Sequence, residues 1–288
     1  MKSQVLLWVV GLGSVLAFPG MCLADSAETY QNELGFSYGH LSDSDDTFET
    51  TTLRFDAVHY LQPVNVANHP LAEAAFLEHA ASISFLFNRA STDVNDGFFV
   101  FSVDQTSYVA ELDYASTTSP LTFSVAYGGM KVTSAGTDDL SGNQYLFKIG
   151  SYIGSSARIQ AIFSQADIED MTGTSIGLDA KLVHEFGNET ALGIDGIIFS
   201  SESDSNDGAS KGRGYTLGVD YYTSQLTSIG FARDWEAYKD QDGSFHSWTH
   251  HFRIKHFLSP QASIAFEYVD TDQDSATNGF NVKFSLRI

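Results

Sequence analysis

The feature that most constrains this chain is an alternation of large apolar residues with small or polar ones, repeated almost from end to end. In the last stretch every second residue is large and apolar: Phe280, Val282, Phe284, Leu286 and Ile288. A period of two places all of these side chains on one face of a β-strand. The sequence therefore predicts an all-β chain, and an aromatic content of 13% fits that class.

The alternation marks about fourteen strands, which are nine to fourteen residues long. The predicted ranges are 33–41, 49–61, 81–90, 106–116, 120–133, 143–153, 156–167, 173–185, 189–201, 212–222, 225–238, 246–257, 261–271 and 277–287. A strand crosses a bilayer at a tilt with about nine to eleven residues, whereas ordinary sheet strands have about five or six. The lengths therefore predict an antiparallel transmembrane β-barrel of about 14 strands (range about 12–16).

The predicted connections alternate between long and short. The odd-numbered ones are long and polar, at 42–48, 91–105, 133–142, 167–172, 202–211, 239–245 and 270–277, whereas the even-numbered ones are mostly tight turns. Long extracellular loops and short periplasmic turns are typical of outer-membrane barrels. Aromatic residues near the periplasmic strand ends predict an aromatic belt there, formed by Tyr60, Tyr114, Tyr152, Phe186, Tyr221 with Tyr222, and Phe257.

Residues 1–24 have the order of a secretory signal peptide. Lys2 precedes an apolar stretch that ends at Phe18, and Ala24 is the small residue expected at a cleavage site. The alternative is lipidation of Cys22, but Met21 stands where a small residue would be expected. We therefore expect a mature barrel of residues 25–288, exported to the cell outer membrane.

Acidic side chains outnumber basic ones by 36 to 15, a formal net charge of −21. This balance argues against nucleic acid as a partner, because phosphate binding requires clustered Lys and Arg. The acids concentrate in the long connections, while the polar-facing strand positions carry both signs in near balance. Those positions predict the following pore-lining residues: Arg54, Asp56, Glu111, Asp113, Lys148, Arg158, Asp179, Lys181, Asp195, Asp220, Arg253, Lys255, Glu267, Lys283 and Arg287.

Two neighbouring stretches resemble a known family. An early strand ends in Tyr60-Leu61-Gln62-Pro63-Val64, and a stretch from Pro70 to Glu78 follows it. This arrangement is similar to that of general porins of Gram-negative gammaproteobacteria, and the resemblance covers under a tenth of the chain. It implies an outer-membrane channel. The chain ends in Ile288 rather than the usual aromatic residue, but the terminal alternation survives, so insertion by the barrel-assembly machinery is expected.

Each of two segments can be interpreted either as a structural element or as a functional one. Residues 62–80 form the one long periplasmic connection, and the stretch 71–80 behind Pro70 predicts a short helix. It either packs beneath the barrel mouth or plugs the lumen as a partial gate. Residues 98–103 are too apolar for a free loop. They either extend the neighbouring strands above the membrane or fold inward and constrict the pore.

Histidines and acids form clusters that could carry chemistry. His246, His250, His251 and His256 lie on one predicted strand, with His251 alone facing inward beside Arg253. No Cys or carboxylate stands at ligand spacing on the outward face, so the pattern favours interface histidines over a metal site. The acidic clusters at 43–46, 167–170 and 270–274 follow no full calcium-loop pattern. They indicate a solvated rim, or loose binding of divalent cations shared with lipopolysaccharide.

These observations predict a passive porin for small hydrophilic solutes or ions, mildly cation-selective, without cofactor, metal or catalytic residues. Outer-membrane lipid and lipopolysaccharide are its expected surroundings, and a trimer is one candidate assembly. An adhesin or receptor barrel is the alternative, followed by a barrel hydrolase. Arg253, Lys255, Lys283 and Arg287 also suggest a basic lumen wall that faces an acidic wall containing residues such as Asp179.

The predicted orientation can be tested with inserted epitope tags. A tag at Gly208 or Asp242 should bind antibody on intact cells because both positions lie in predicted outer connections. A tag at Asn188, in a predicted periplasmic turn, should bind antibody only after permeabilisation. Labelling of intact cells at Asn188 would contradict the orientation.

Overall fold

The computed structural model is a single closed barrel of fourteen antiparallel strands. It describes residues 29–43, 47–67, 69–95, 100–116, 118–134, 139–169, 171–187, 189–205, 208–239, 243–272 and 277–288. Each strand pairs with its neighbours in sequence, and the first pairs with the last, which closes the sheet. The predicted fold class and strand number are confirmed.

The strands are 11 to 18 residues long. They are β1 (Thr29–Asp43), β2 (Phe48–Asn65), β3 (Ser82–Asn95), β4 (Val100–Ala115), β5 (Leu121–Ser134), β6 (Leu140–Ile153), β7 (Ala157–Ile168), β8 (Met171–Gly187), β9 (Thr190–Ser205), β10 (Gly208–Ser224), β11 (Thr227–Lys239), β12 (Ser244–Ser259), β13 (Ala262–Asp272) and β14 (Thr277–Arg287). One helical turn, α1 (Ala74–Leu77), lies between β2 and β3. No helix of the described residues is long and apolar enough to cross a membrane.

The strands extend further outward than the alternation predicts. β3 continues to Asn95 and β4 begins at Val100, so most of the predicted 91–105 loop is a paired ribbon. All seven outer connections are two to five residues long. Above the bilayer both faces of a strand contact water, so the sequence there needs no apolar alternation. Residues 100–103 therefore extend β4, and inward folding is wrong for them; residues 98 and 99 lie outside the described residues.

The inner and outer faces of the barrel have opposite character. Large apolar side chains such as Ile176 and Phe252 are exposed on the outer face, where they contact lipid. The inner face carries polar and charged side chains and several glycines. One periplasmic turn depends on glycine, because Gly154, between β6 and β7, has a φ of +70°.

The predicted periplasmic aromatic belt is only partly correct. Tyr114, Phe186 and Tyr221 do face outward, with 40%, 55% and 46% of their surface exposed. The other four are buried and belong to the inner face: Tyr60, Tyr152, Tyr222 and Phe257. Adjacent strand residues face opposite sides, so a position near a strand end does not by itself fix the side to which an aromatic residue points.

Inner-face glycines make room for ion pairs across the lumen wall. A Cβ atom at Gly35 would lie 2.5 Å from Oδ2 of Asp56 and 2.7 Å from Cε of Lys283. At Gly39, four residues further along β1 on the same face, the closest atom would be 3.5 Å away. The Asp56–Lys283 ion pair therefore requires a residue without a side chain at position 35.

We expect Gly35→Ala to lower the free energy of unfolding by about 1–3 kcal/mol, because it overpacks the wall at a buried ion pair. Gly39→Ala is the matched control and should change stability much less. The measurement is the urea midpoint of unfolding in detergent micelles. Equal midpoints for the two variants would contradict the steric requirement at Gly35.

Candidate functional site in the barrel lumen

The fifteen predicted pore-lining residues lie on ten strands at inner-face positions. They are placed on β2 (Arg54, Asp56), β4 (Glu111, Asp113), β6 (Lys148), β7 (Arg158), β8 (Asp179, Lys181), β9 (Asp195), β10 (Asp220), β12 (Arg253, Lys255), β13 (Glu267) and β14 (Lys283, Arg287), the last strand supplying two bases. Most of their side chains are buried or half-buried against the wall. Their arrangement, and not their number alone, determines the field inside the barrel.

Near the seam between β14 and β1, bases pair with acids of adjacent or nearby strands. Lys283 Nζ lies 2.7 Å from Asp56 Oδ1, and Arg253 Nη2 donates to Asp220 Oδ2 at 2.9 Å. Arg287 Nε donates to Glu33 Oε1 at 3.1 Å. Glu33 is a buried partner that the sequence analysis did not select. Lys283, Arg253 and Arg287 therefore each have a neutralising carboxylate next to them.

The opposite side of the barrel also carries bases. Lys148 donates to Glu111 at 3.0 Å. Arg158 lies between Asp113 and Asp179, at 3.9 Å and 3.8 Å. Because β6 to β8 face β13 to β1 across the closed sheet, the hypothesis of a basic wall opposite an acidic wall is wrong. The lumen consists instead of local ion pairs around its circumference.

His251 adds a cation that the predicted pore-lining set omits. Its Nε2 lies 2.9 Å from Asp234 Oδ2, and its Nδ1 lies 3.1 Å from Glu267 Oε1. A ring with a carboxylate at each nitrogen can donate at both positions only as the imidazolium. The inward direction of His251 agrees with the sequence analysis.

A periplasmic segment crosses the lower end of this lumen. We call residues 66–67 and 69–80, which include α1, the mouth segment. Leu71 N donates to Gln225 O at 3.0 Å, in the turn before β11. Leu71 O accepts from Arg287 Nη2 at 2.8 Å. Arg287 is fully buried, with its guanidinium 4.1 Å from the centre of the Tyr30 ring.

Glu73 anchors the middle of the mouth segment to the far wall. Its carboxylate lies 2.6 Å from Lys181 Nζ on β8 and accepts a hydrogen bond from the Tyr222 hydroxyl on β10. Glu73 is 6% exposed. Lys181 Nζ also lies 5.1 Å from the centre of the Phe76 ring. The segment therefore has a buried, charged contact with the lumen wall.

Two histidines hold the ends of the segment. His79 stacks on Tyr152 with ring centres 3.7 Å apart, and its Nε2 lies 3.3 Å from Ser155 O. His69 lies between Glu78 of the segment and Glu185 of β8, at 3.1 Å and 3.0 Å. Together with the hydrogen bond from Arg287 to Leu71, these contacts connect the segment to both sides of the barrel.

The mouth segment fills the periplasmic end of the lumen. Its apolar side chains pack with inner-face aromatics in two clusters, one containing Leu71, Tyr60 and Phe257 and the other Leu77 and Tyr222. Of the two interpretations of 62–80, the plug therefore agrees with the geometry, and packing beneath the mouth does not. The predicted helix is shorter than expected, because only Ala74–Leu77 is helical.

The described residues contain no group of three or more His, Cys, Asp or Glu side chains that could hold a metal ion. Several members of the acidic clusters, and Asp242 beside His246, lie outside the described residues. The chemistry that the described lumen offers is electrostatic: paired charges around a polar passage that narrows to a plug.

Comparisons with known proteins agree with this architecture. A family profile described as "Putative general bacterial porin" matches residues 5–288. No curated protein matches the chain. Among solved structures, the outer membrane protein Omp33 of Acinetobacter baumannii superposes with a TM-score of 0.60 at 18% identity, covering 91% of this chain and 100% of that one.

Two further structures share the fold at lower similarity. A bacterial polysaccharide outer membrane secretin superposes with a TM-score of 0.53 at 8% identity, over 91% of this chain and 100% of that one. A loop-deletion mutant of OmpT, an outer membrane protein of Vibrio cholerae, gives 0.50 at 11% identity, over 90% and 98%. These likenesses show the barrel fold.

Proposed function

The chain belongs to the general bacterial porin family, and from that membership we propose that it is a passive diffusion channel for small hydrophilic solutes or ions. The observation that carries the proposal is the closed fourteen-stranded barrel with an ion-paired polar inner face. A barrel of this size has room for an aqueous lumen narrower than that of sixteen-stranded porins. The resulting channel is outer-membrane, lipid-surrounded and non-enzymatic.

The mouth segment sets the conductance in this proposal. It lies across the periplasmic end, and its contact with the far wall depends on one buried carboxylate, Glu73. Because conduction requires a continuous polar path, the conducting state has the segment displaced from Lys181 and Tyr222. Insertion by the barrel-assembly machinery and assembly as a trimer both remain predictions.

Single-channel recording in planar bilayers tests the channel and its gate. Glu73→Gln should raise the ratio of open to closed time about tenfold, since a hydrogen bond to a charged group contributes about 1.5–3 kcal/mol. Glu78→Gln is the matched control, because its carboxylate contacts His69 within the same segment. Replacing residues 69–79 by a short Gly-Ser linker should give a larger unit conductance.

The outcomes of this recording distinguish the role of the Glu73 contact from the channel activity itself. Frequent opening in both Glu variants would contradict the role of the Glu73 contact but leave the channel standing. A barrel that conducts in neither wild-type nor linker form would refute the porin proposal. Binding to host matrix would then favour an adhesin, and hydrolysis of lipid or peptide would favour an enzyme.

We also propose mild cation selectivity that depends on salt concentration. The acids of the outer connections concentrate cations at the entrance, whereas the lumen pairs nearly cancel. This preference should fade as the Debye length falls from roughly 30 Å at 0.01 M to roughly 3 Å at 1 M. Reversal potentials under a salt gradient measure it. Strong anion selectivity at low salt would contradict the proposal. Neutralising Arg253 and Lys255 together should increase cation preference.

A further inference from the structure

Arg213 and Arg233 are two arginines that face outward on the lipid-facing surface. Three outward bases have acids beside them: Arg89 with Asp104, Lys131 with Asp139 and Lys211 with Glu202, at 3.5, 2.6 and 2.5 Å. Arg213 and Arg233 have no carboxylate within ion-pair distance among the described residues. Nε of Arg233 is buried without a hydrogen-bond acceptor in that part of the chain. Both guanidiniums therefore retain unused donors.

Arg233 lies at the outer boundary of the apolar band. From β11 to β14 its row across the sheet is polar: Arg233 pairs in register with His250, which pairs with Asp270, which pairs with Asn278. On the β10 side Arg233 pairs with Leu217. Over the same four strands, the next row toward the periplasm is aromatic and consists of Phe231, Phe252, Tyr268 and Phe280. The change from aromatic to polar residues marks the level at which acyl chains give way to headgroups.

An aromatic cluster supports the two guanidiniums at this level. Trp235, Trp248 and Tyr215 lie with ring centres 5.8 to 6.1 Å apart. Arg233 lies 3.6 Å from the centre of the Trp248 ring, and Arg213 lies 5.7 Å from that of Trp235. Stacking on an aromatic face fixes the plane of a guanidinium and leaves its N–H edge available. We call these five residues the outer patch.

We propose that the outer patch binds a phosphate group of lipid A in the outer leaflet. The level of the patch matches the headgroup region, and the planar fork of Arg suits bidentate contact with phosphate oxygens. The aromatic rings provide an amphipathic surface for the adjoining sugar. The site requires only the outer-membrane location and does not depend on conduction.

Titratable groups next to the outer patch affect its affinity for phosphate. His250 lies between Arg233 and Asp270 in the sheet, and Asp272 is opposite Trp248. Both acids face outward and lower the local potential. Attraction of a phosphate by the two arginines is therefore opposed by repulsion from these two carboxylates. Neutralising Asp270 should strengthen phosphate binding.

Native mass spectrometry of the folded full chain in detergent tests the site, with diphosphorylated lipid A as the probe. The double variant Arg213→Gln/Arg233→Gln should bind lipid A at least tenfold more weakly than wild type, because it removes both guanidiniums that would donate to the phosphate oxygens. The control Arg89→Gln/Lys131→Gln removes two outward bases that have acid partners and should bind like wild type. Asp270→Asn should bind more tightly than wild type, a gain that misfolding would not produce.

Lipid A stripped of its phosphates separates headgroup recognition from acyl-chain contact. Wild type should bind it about as weakly as the double arginine variant binds the phosphorylated form. Equal affinity of all variants for the phosphorylated form would overturn the proposal. A change in oligomeric state in the arginine variant without loss of lipid A would overturn it too, and would make the patch an interface between copies of the chain.

Discussion

Every backbone amide and carbonyl within a bilayer must find its partner inside the protein, and this requirement shapes the rest of the molecule. A sheet satisfies it only by closing, which here means that β1 and β14 pair over eleven residues. Arg287 lies at that seam, bound to Glu33 of β1 and to the carbonyl of Leu71 in the mouth segment. One buried side chain thus connects barrel closure with closure of the periplasmic end.

The same geometry explains why the lumen is built from local ion pairs. Antiparallel neighbours place inner-face side chains about 5 Å apart, so an acid and a base on nearby strands can meet directly. A charge without such a partner would be half-desolvated in a narrow barrel, which is unfavourable. Lys283 with Asp56 and Lys148 with Glu111 are examples from opposite sides. In the proposed channel, the charges that are not cancelled within the lumen are those of the outer rim.

The sequence predicts those parts of the structure that depend on a period of two. Fourteen strands and the inner-face positions follow from alternation, because burial in lipid forces each side chain to one face. The orientation of Tyr60 and Tyr222 could not be predicted from their place near strand ends. Nor could the pairing of Glu73 with Lys181, since that contact joins a segment without periodicity to a strand far along the chain. The outward extension of β3 over residues 91–95 does not follow from alternation because that stretch is mostly polar, whereas extension of β4 over residues 100–103 was one of the two interpretations of that apolar stretch.

Arginine serves two different purposes at the two ends of the barrel. Arg287 at the periplasmic end lies near the rings of Tyr30 and Phe257, and its donors meet a carboxylate and a carbonyl of the chain itself. Arg233 at the outer boundary lies on the ring of Trp248, but its Nε meets no acceptor among the described residues. The aromatic support is similar and the acceptor differs. A stacked arginine whose hydrogen-bond acceptors belong to the chain stabilises closure of the barrel. A stacked arginine at the headgroup level, with no such acceptor for its Nε among the described residues, is suited to bind an anion of the membrane.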